Sequence, residues 1–185
     1  LPKLQKLFSD YSLTGGFMTA INDYYQTGRI KQSFYETFLS WIENDLHKAK
    51  RSEKTAYDLI ANIFRTLTTQ ISFTSLARDT NLASQLAIQE YLDILEKMFL
   101  LFTLEAKVVE QNKRDPRKNK KIYFTDPFIF NVLYIKTHEL MGDSFAQIRD
   151  ALKTQMSIVA ENMVALDLKQ HIPNLYWGKS AKGEI

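Results

Sequence analysis

The chain has 185 residues, a net charge of +3 at pH 7 and no cysteine, which excludes disulfide bridges and thiolate metal sites. Its length lets a single domain bury about 70% of the surface that the unfolded chain exposes, so no covalent cross-link is needed for folding. The three histidines lack metal-ligand spacing, and no apolar run approaches the roughly 20 residues of a membrane helix. We therefore expect a soluble, cytoplasmic protein with no metal site and no membrane partner. Because the first residue is Leu1 rather than methionine, we expect an internal piece of a longer chain or a trimmed product.

The first 50 residues are predicted to be helical. Gly15-Gly16 interrupts the first segment, and a short helix follows over residues 17–26. A longer helix over residues 30–47 carries large apolar residues on one side: Phe34, Phe38, Trp41 and Ile42. The charged connector 48–54 is the strongest candidate for a domain boundary.

Residues 51–137 are predicted to form a winged helix. Ser52 can cap a helix that runs to residue 70, and a short strand-like start precedes a helix over 74–80 that Thr74 can cap. After a turn at Asn81, Ser84 begins a helix that runs to Lys97. Four of its residues have the spacing of a buried stripe: Ile88, Tyr91, Leu92 and Leu95. Two helices joined in this way indicate a helix-turn-helix.

A β-hairpin, the wing, is predicted directly after this pair of helices. Its strands are the β-rich runs 99–109 and 121–125, and its tip is the polar run 110–120. Asp126-Pro127 then begins a helix to about residue 136, since a carboxylate cap followed by proline is a strong helix start. We expect this helix to pack back on the winged helix.

Residues 138–185 are predicted to form a separate segment. Gly142-Asp143 starts it, a helix covers 156–171, and a short strand covers 175–177. Lys182-Gly183 is the expected turn of a second hairpin.

The wing supplies the candidate nucleic-acid contacts, because clustered cations displace counterions from phosphates. The contact residues predicted from the wing and from the start of the second helix are Lys113, Arg114, Arg117, Lys118, Lys120, Lys121, Ser84, Gln85 and Gln89. The alternative for the wing is a solvated hairpin end. The exposed side of the second helix also carries Glu90, Asp93 and Glu96, which favours a docking or oligomerisation surface for protein.

No catalytic site is predicted in this chain. Gly178-Lys179-Ser180 looks like the end of a phosphate-binding loop, but Pro173 stands where that loop requires glycine. Glu161 and Glu184 lie where a metal-dependent nuclease begins to assemble a magnesium site, yet two scattered glutamates are more often solvated surface.

Several short runs resemble, in their order, the C-terminal region of archaeal and bacterial AAA-type ATPases, where a domain of unknown function follows the ATP-binding module. They are Leu13-Thr14-Gly15-Gly16-Phe17, Ser75-Leu76-Ala77, Lys121-Ile122-Tyr123-Phe124-Thr125-Asp126, Glu161-Asn162, Leu175-Tyr176-Trp177 and Gly183-Glu184-Ile185. The resemblance implies a helical lid over residues 1–50, a winged helix in the middle and the start of an α/β nuclease-like fold at the end. The expected fold is mainly α.

The chain also departs from that family. Ser157 and Gly178 replace an expected glycine and an expected basic residue, and neither the aspartate after Ile185 nor a Walker loop is present. The resemblance therefore implies a chain that is not itself an enzyme. DNA and the ATPase domain of the same polypeptide are the implied partners, and ATP and magnesium would be cofactors of the full-length protein only.

Overall fold

A computed structural model of the chain describes residues 2–80, 82, 84–108, 113–115, 119–140, 142–180 and 183–184. Over these residues the fold is mainly helical. Its elements in chain order are α1 (Pro2–Thr14), α2 (Met18–Thr27), α3 (Gln32–Lys48), α4 (Glu53–Thr66), α5 (Phe73–Asp79), α6 (Gln85–Lys97), β1 (Leu101–Leu104), β2 (Ala106–Val108), β3 (Lys113–Asp115), β4 (Lys121–Phe124), α7 (Pro127–Thr137), α8 (Ser144–His171), β5 (Trp177–Ser180) and β6 (Gly183–Glu184).

Helix α7 forms the centre of the helical core. Eight of its eleven residues are buried, and it packs against α1, α3, α4 and α8. The Phe128 ring alone contacts four other aromatic rings: those of Phe17, Phe34, Tyr35 and Phe38. The main core cluster extends from Leu13 to Val159, across both predicted domain boundaries. Over the described ranges, no helix is long and apolar enough to cross a membrane.

Three of the predicted helix starts are confirmed. The Ser52 and Ser84 hydroxyls accept hydrogen bonds from the Thr55 and Ala87 amides, and Asp126 caps α7 with Pro127 in its first turn. These caps satisfy amides that have no partner inside the helix. Helix starts with a local cap could therefore be predicted from sequence alone.

Two local predictions are wrong, and one helix is longer than predicted. Helix α5 is capped by Ser72 rather than Thr74, because the Ser72 hydroxyl accepts from the Ser75 amide. The helix predicted over 156–171 is confirmed as the second part of α8, which already starts at Ser144 with Asp143 as its cap. Trp41 is 54% exposed, so it does not belong to the buried side of α3.

The strands form two small sheets. In one, β1 pairs antiparallel with β4, and a bridge from Ile71 to Lys120 extends the outer edge of β4. In the other the strand order is β3-β2-β5-β6, where β2 pairs antiparallel with β3 and parallel with β5. The strand predicted over 175–177 corresponds to β5, which begins two residues later and ends at Ser180. Of the turn predicted at Lys182-Gly183, Lys182 lies outside the described residues, and Gly183 begins β6 opposite Ser180.

The loop between α1 and α2 is fixed to the start of α7. Gly15 adopts a left-handed conformation, with φ of 54°, and the Gly16 amide donates to Asp126 Oδ2 at 2.8 Å. Asn131 Nδ2 donates to the Ser12 carbonyl oxygen at 2.9 Å. Burial raises the pKa of Asp126, although the amides of Gly16 and Phe128 act to lower it. The double-glycine motif therefore has a structural role here.

Asn162 joins α8 to the hairpin. The Thr125 amide donates to the Leu100 carbonyl, so the preceding residue, Phe124, directs its own N–H and C=O toward the outer edge of β4. Asn162 satisfies both groups, since its Oδ1 accepts from the Phe124 amide at 2.7 Å and its Nδ2 donates to the Phe124 carbonyl at 2.8 Å. One side chain thus occupies the place of a neighbouring strand.

Asp10 joins α1 to α2. It is only 5% exposed and accepts hydrogen bonds from Lys6 Nζ at 2.6 Å, Tyr24 Oη at 3.1 Å and Tyr25 Oη at 3.0 Å. Burial acts to raise the pKa of Asp10, but these three bonds outweigh it and hold the pKa below the ordinary 3.8.

This lowered pKa predicts an acid-sensitive contribution to stability. A carboxyl whose folded pKa lies below its unfolded value stabilises the fold above the unfolded pKa, and the contribution disappears as pH falls through the folded pKa. We expect Asp10→Asn to lower the unfolding temperature at neutral pH, with a difference from wild type that shrinks below about pH 4. Thermal unfolding followed by circular dichroism measures this; an equal difference at about pH 7 and pH 3 would contradict it.

Candidate nucleic-acid interface

Helices α5 and α6 pack together and leave one side of α6 in solvent. The buried side of α6 is the predicted stripe, with Ile88 and Leu95 fully buried and Tyr91 and Leu92 nearly so. Leu76 of α5 is also fully buried. The predicted contact residues Gln85 and Gln89 lie next to this stripe on the helix surface, where Gln85 is exposed and Gln89 is half-buried.

An open cleft of about 630 Å³ lies between α6, the start of α5 and the base of the hairpin. Gln85, Gln89 and Glu96 line it from α6, and Glu105 and Lys120 line it from the hairpin. Its remaining lining is Ile71, Ser72, Phe73, Thr74, Thr103 and Asn119. The structure therefore brings both predicted glutamines and one predicted lysine to the same cleft.

The three contact residues predicted at the start of α6 already have internal partners. The Ser84 hydroxyl caps the helix. Gln85 Nε2 donates to Thr74 Oγ1 at 2.7 Å, and Gln89 Nε2 donates to Asp93 Oδ1 at 2.6 Å. These bonds limit the rotamers of both amides before any ligand arrives.

The basic residues of the hairpin fall into two groups. Lys113 and Arg114 form part of β3, at the far end of the hairpin, whereas Arg117 and Lys118 lie outside the described residues. Lys120 and Lys121 lie at the base of the hairpin, the end at which β1 pairs with β4, and both are buried there.

The two lysines at the base contact carboxylates of the fold. Lys120 Nζ lies 3.5 Å from Glu105 Oε1 and 5.5 Å from the centre of the Phe73 ring. Lys121 Nζ lies 3.6 Å from Glu161 Oε1. The charge of each lysine is thus paired with a carboxylate of the same chain.

Sequence reasoning missed Lys107 as a member of the basic group. The register of β2 and β3 places Lys107 directly opposite Arg114, while Val108 is opposite Lys113. The Lys107 ammonium also lies 5.6 Å from the centre of the Tyr176 ring. The sequence alone does not give the strand register, and only the register shows that Lys107 and Arg114 occupy opposite positions.

The acidic side of α6 is partly neutralised. Arg51 Nη2 lies 3.0 Å from Glu90 Oε2, and the same guanidinium lies 5.5 Å from the centre of the Tyr91 ring. Asp93 accepts the hydrogen bond from Gln89. Glu90 is therefore paired with a cation, whereas the neutral Gln89 amide leaves the charge of Asp93 in place.

Glu161 and Glu184 have different surroundings. Glu161 is half-exposed and accepts a hydrogen bond from the Tyr123 hydroxyl at 2.8 Å, beside Lys121. Glu184 belongs to β6, opposite Lys179. Within the described part of the chain, no group of three or more His, Asp or Glu side chains could hold a metal ion.

Comparison with known proteins places the chain in a family. It belongs to the family described as "Domain of unknown function (DUF8612)", which it matches over residues 5–139. The match includes nearly all of α1 to α7 and the hairpin, and it ends near the predicted boundary at residue 137. No curated protein and no solved structure is significantly similar to the chain. The match confirms that most of the chain is a domain of unknown function, and the predicted link to AAA-type ATPases stays a proposal.

Proposed function

We propose that the chain is a non-catalytic winged-helix module that contacts nucleic acid through the far end of its hairpin. The order of elements carries this proposal: α4, the Ile71 bridge, α5, α6 and the four hairpin strands β1 to β4 follow one another as in a winged helix. Their pairing agrees with it, because β4 lies between the Ile71 segment and β1. Such a fold presents one helix and one hairpin on the same side of the domain.

The charge distribution supports phosphate contacts by the hairpin. Lys107, Lys113 and Arg114 occupy neighbouring positions of β2 and β3, and Arg117 and Lys118 follow closely in sequence. Each cation that neutralises a phosphate releases condensed counterions, which gives affinity that falls with salt. The chain as a whole carries only +3, so this local cluster, rather than the total charge, supplies the attraction.

The proposal extends to the protein from which the chain comes. By the resemblance described above, this module would follow the ATP-binding domain of an AAA-type ATPase, with α1 to α3 as a helical lid. ATP and magnesium would then bind to that domain. ATP hydrolysis by the full-length gene product, with and without DNA, tests this extension.

The segment after α7 is proposed to begin a nuclease-like fold without catalytic activity. Helix α8 carries Glu161, and the β5–β6 hairpin that follows carries Glu184. Since the Glu161 carboxylate accepts from Tyr123 and lies beside Lys121, we assign it to the contact between α8 and β4.

A protein-docking or oligomerisation module is the second candidate. Two large apolar side chains are exposed near the two ends of α6: Leu86 is 68% exposed and Phe99 is 77% exposed. Asp93 is exposed between them. Exposed apolar groups with nearby charge are typical of protein-binding surfaces.

Charge reversal of the hairpin tests the first proposal. We expect replacement of Lys113, Arg114, Arg117 and Lys118 by glutamate to weaken duplex binding at least about tenfold at low salt. The slope of log affinity against log salt should fall by up to about 3.6, which is 0.9 for each lost phosphate contact. Fluorescence anisotropy with a labelled duplex of about 25 base pairs measures both quantities between about 50 and 200 mM salt.

A matched control separates the hairpin from net charge. Lys3, Lys48, Lys54 and Lys153 are exposed on α1, α3, α4 and α8, and their replacement by glutamate changes the net charge by the same amount. Equal loss of binding in both quadruple variants would contradict a hairpin site. Absence of duplex binding together with self-association in size-exclusion chromatography with light scattering would favour the docking module.

A further inference from the structure

Gln89 and Asp93 form a prearranged pair at the cleft. They lie one helical turn apart on α6, and Gln89 Nε2 donates to Asp93 Oδ1 at 2.6 Å. Gln89 is partly exposed and lines the cleft between α6 and the hairpin. A hydrogen bond of this length to an ionised acceptor is among the strong ones, so it fixes the orientation of the amide.

This bond also settles which end of the amide remains available. An ionised carboxylate only accepts hydrogen bonds, so the Gln89 nitrogen must face Asp93. One N–H of Gln89 is then used, while its second N–H and its Oε1 are left side by side as a donor and an acceptor. In the major groove adenine offers N7 as an acceptor next to N6–H as a donor, whereas guanine offers two acceptors. The free groups of Gln89 are complementary to adenine and not to guanine.

The other two carboxylates of α6, those of Glu90 and Glu96, would not repel bound DNA near Gln89 to the same degree. Glu90 is paired with Arg51 at 3.0 Å, which neutralises the acid closest in sequence to Gln89. Glu96 lies seven residues further along, about 10 Å away along the helix axis. Gln85, one turn before Gln89, donates to Thr74 Oγ1 at 2.7 Å, but a hydroxyl can also donate, so this bond does not fix the orientation of the Gln85 amide.

We propose that Gln89, oriented by Asp93, recognises an adenine in the major groove of bound duplex DNA. The inference rests on the proposed winged-helix function and adds base specificity to it. Gln89 contacts the base, and Asp93 is a positioning residue that acts through Gln89. From the sequence alone, the negative charge of Asp93 argues against DNA binding. In this proposal Asp93 instead supports DNA binding by orienting Gln89.

The test compares four proteins on one probe: a pool of DNA duplexes with a randomised core, sequenced after selection for binding. The proteins are the wild-type chain, Gln89→Ala, Asp93→Ala and Asp93→Glu. Asp93→Ala loses one negative charge, so it should gain affinity that does not depend on sequence. Asp93→Glu keeps an ionised carboxylate, which can only accept a hydrogen bond from the Gln89 amide.

We expect the wild-type chain and Asp93→Glu to prefer adenine over guanine at one position by about fivefold or more. The preference should disappear in Gln89→Ala and Asp93→Ala, while their unfolding temperatures and salt slopes stay near wild type. A wild-type chain that binds duplexes without base preference would overturn this inference and leave the proposed function standing, as would an unchanged preference in Gln89→Ala. An unchanged preference in Asp93→Ala, or loss of preference in Asp93→Glu, would overturn the positioning role. A wild-type chain that binds no duplex at all would overturn both proposals.

Discussion

Gly15→Ala is expected to lower the free energy of unfolding by about 3 kcal/mol or more, because two separate costs meet at this position. The backbone has a φ of 54°, a conformation that costs an L-residue about 1–2 kcal/mol. A Cβ atom built on Gly15 would lie 1.8 Å from Asp126 Oδ1, which is far inside contact distance. The Asp126 carboxylate would have to move, and its bonds to the amides of Gly16 and Phe128 would be lost or lengthened.

Gly28 provides the matched control for this substitution. It also has a positive φ, of 76°, but no atom lies within 4 Å of the position that its Cβ would take. Gly28→Ala should therefore cost only the backbone strain of about 1–2 kcal/mol. Urea denaturation of the two variants and the wild type measures the difference. Equal losses in both variants would mean that the Asp126 contact contributes nothing to the cost at Gly15.

The parts of the fold that were predictable from sequence are those with local causes. The serine caps at Ser52 and Ser84 and the Asp126-Pro127 start are set by residues within one turn of each helix. The buried stripe of α6 follows from the helical repeat alone. The hairpin strands β1 and β4 were also predicted close to their observed positions, because the β-rich runs that predict them are local in the sequence.

What the sequence did not predict depends on contacts between distant segments. The parallel pairing of β2 with β5 joins residues about 70 positions apart, as the register Ala106 to Trp177 shows. The burial of Lys120 and Lys121 depends on Glu105 and on Glu161 of α8. Neither partner can be recognised from the neighbourhood of the lysines, so all six hairpin cations looked alike in the sequence.

The same limit applies to the candidate site. The predicted residues Gln85 and Gln89 do lie on the accessible side of α6, because helical periodicity decides that. Their bonds to Thr74 and Asp93, and the position of Lys107 opposite Arg114, require side-chain geometry and strand register. Of these, only the Gln89–Asp93 pair leaves a sequence signal, since the two residues have the i, i+4 spacing of neighbours on a helix.

Asn162→Ala is expected to cost about 2–5 kcal/mol, although the alteration lies outside the region that matches the family. The side chain is 1% exposed and bonds both backbone groups of Phe124, so its removal leaves a buried donor and a buried acceptor unpaired. Each unsatisfied group costs about 1–3 kcal/mol.

Two further variants complete this test: one that keeps a polar side chain at position 162, and one that replaces an exposed asparagine. Asn162→Asp keeps an oxygen that can accept from the Phe124 amide, but an ionised carboxylate cannot donate to the Phe124 carbonyl. Its stability deficit should therefore be large at neutral pH and shrink in acid, where the protonated carboxyl can donate. Asn44→Ala, at an exposed position of α3, should stay within about 0.5 kcal/mol of wild type. Urea denaturation at both pH values measures all three variants. If Asn162→Ala were as stable as Asn44→Ala, water or another group would satisfy the edge of β4, and the contact between α8 and the hairpin would not depend on this side chain.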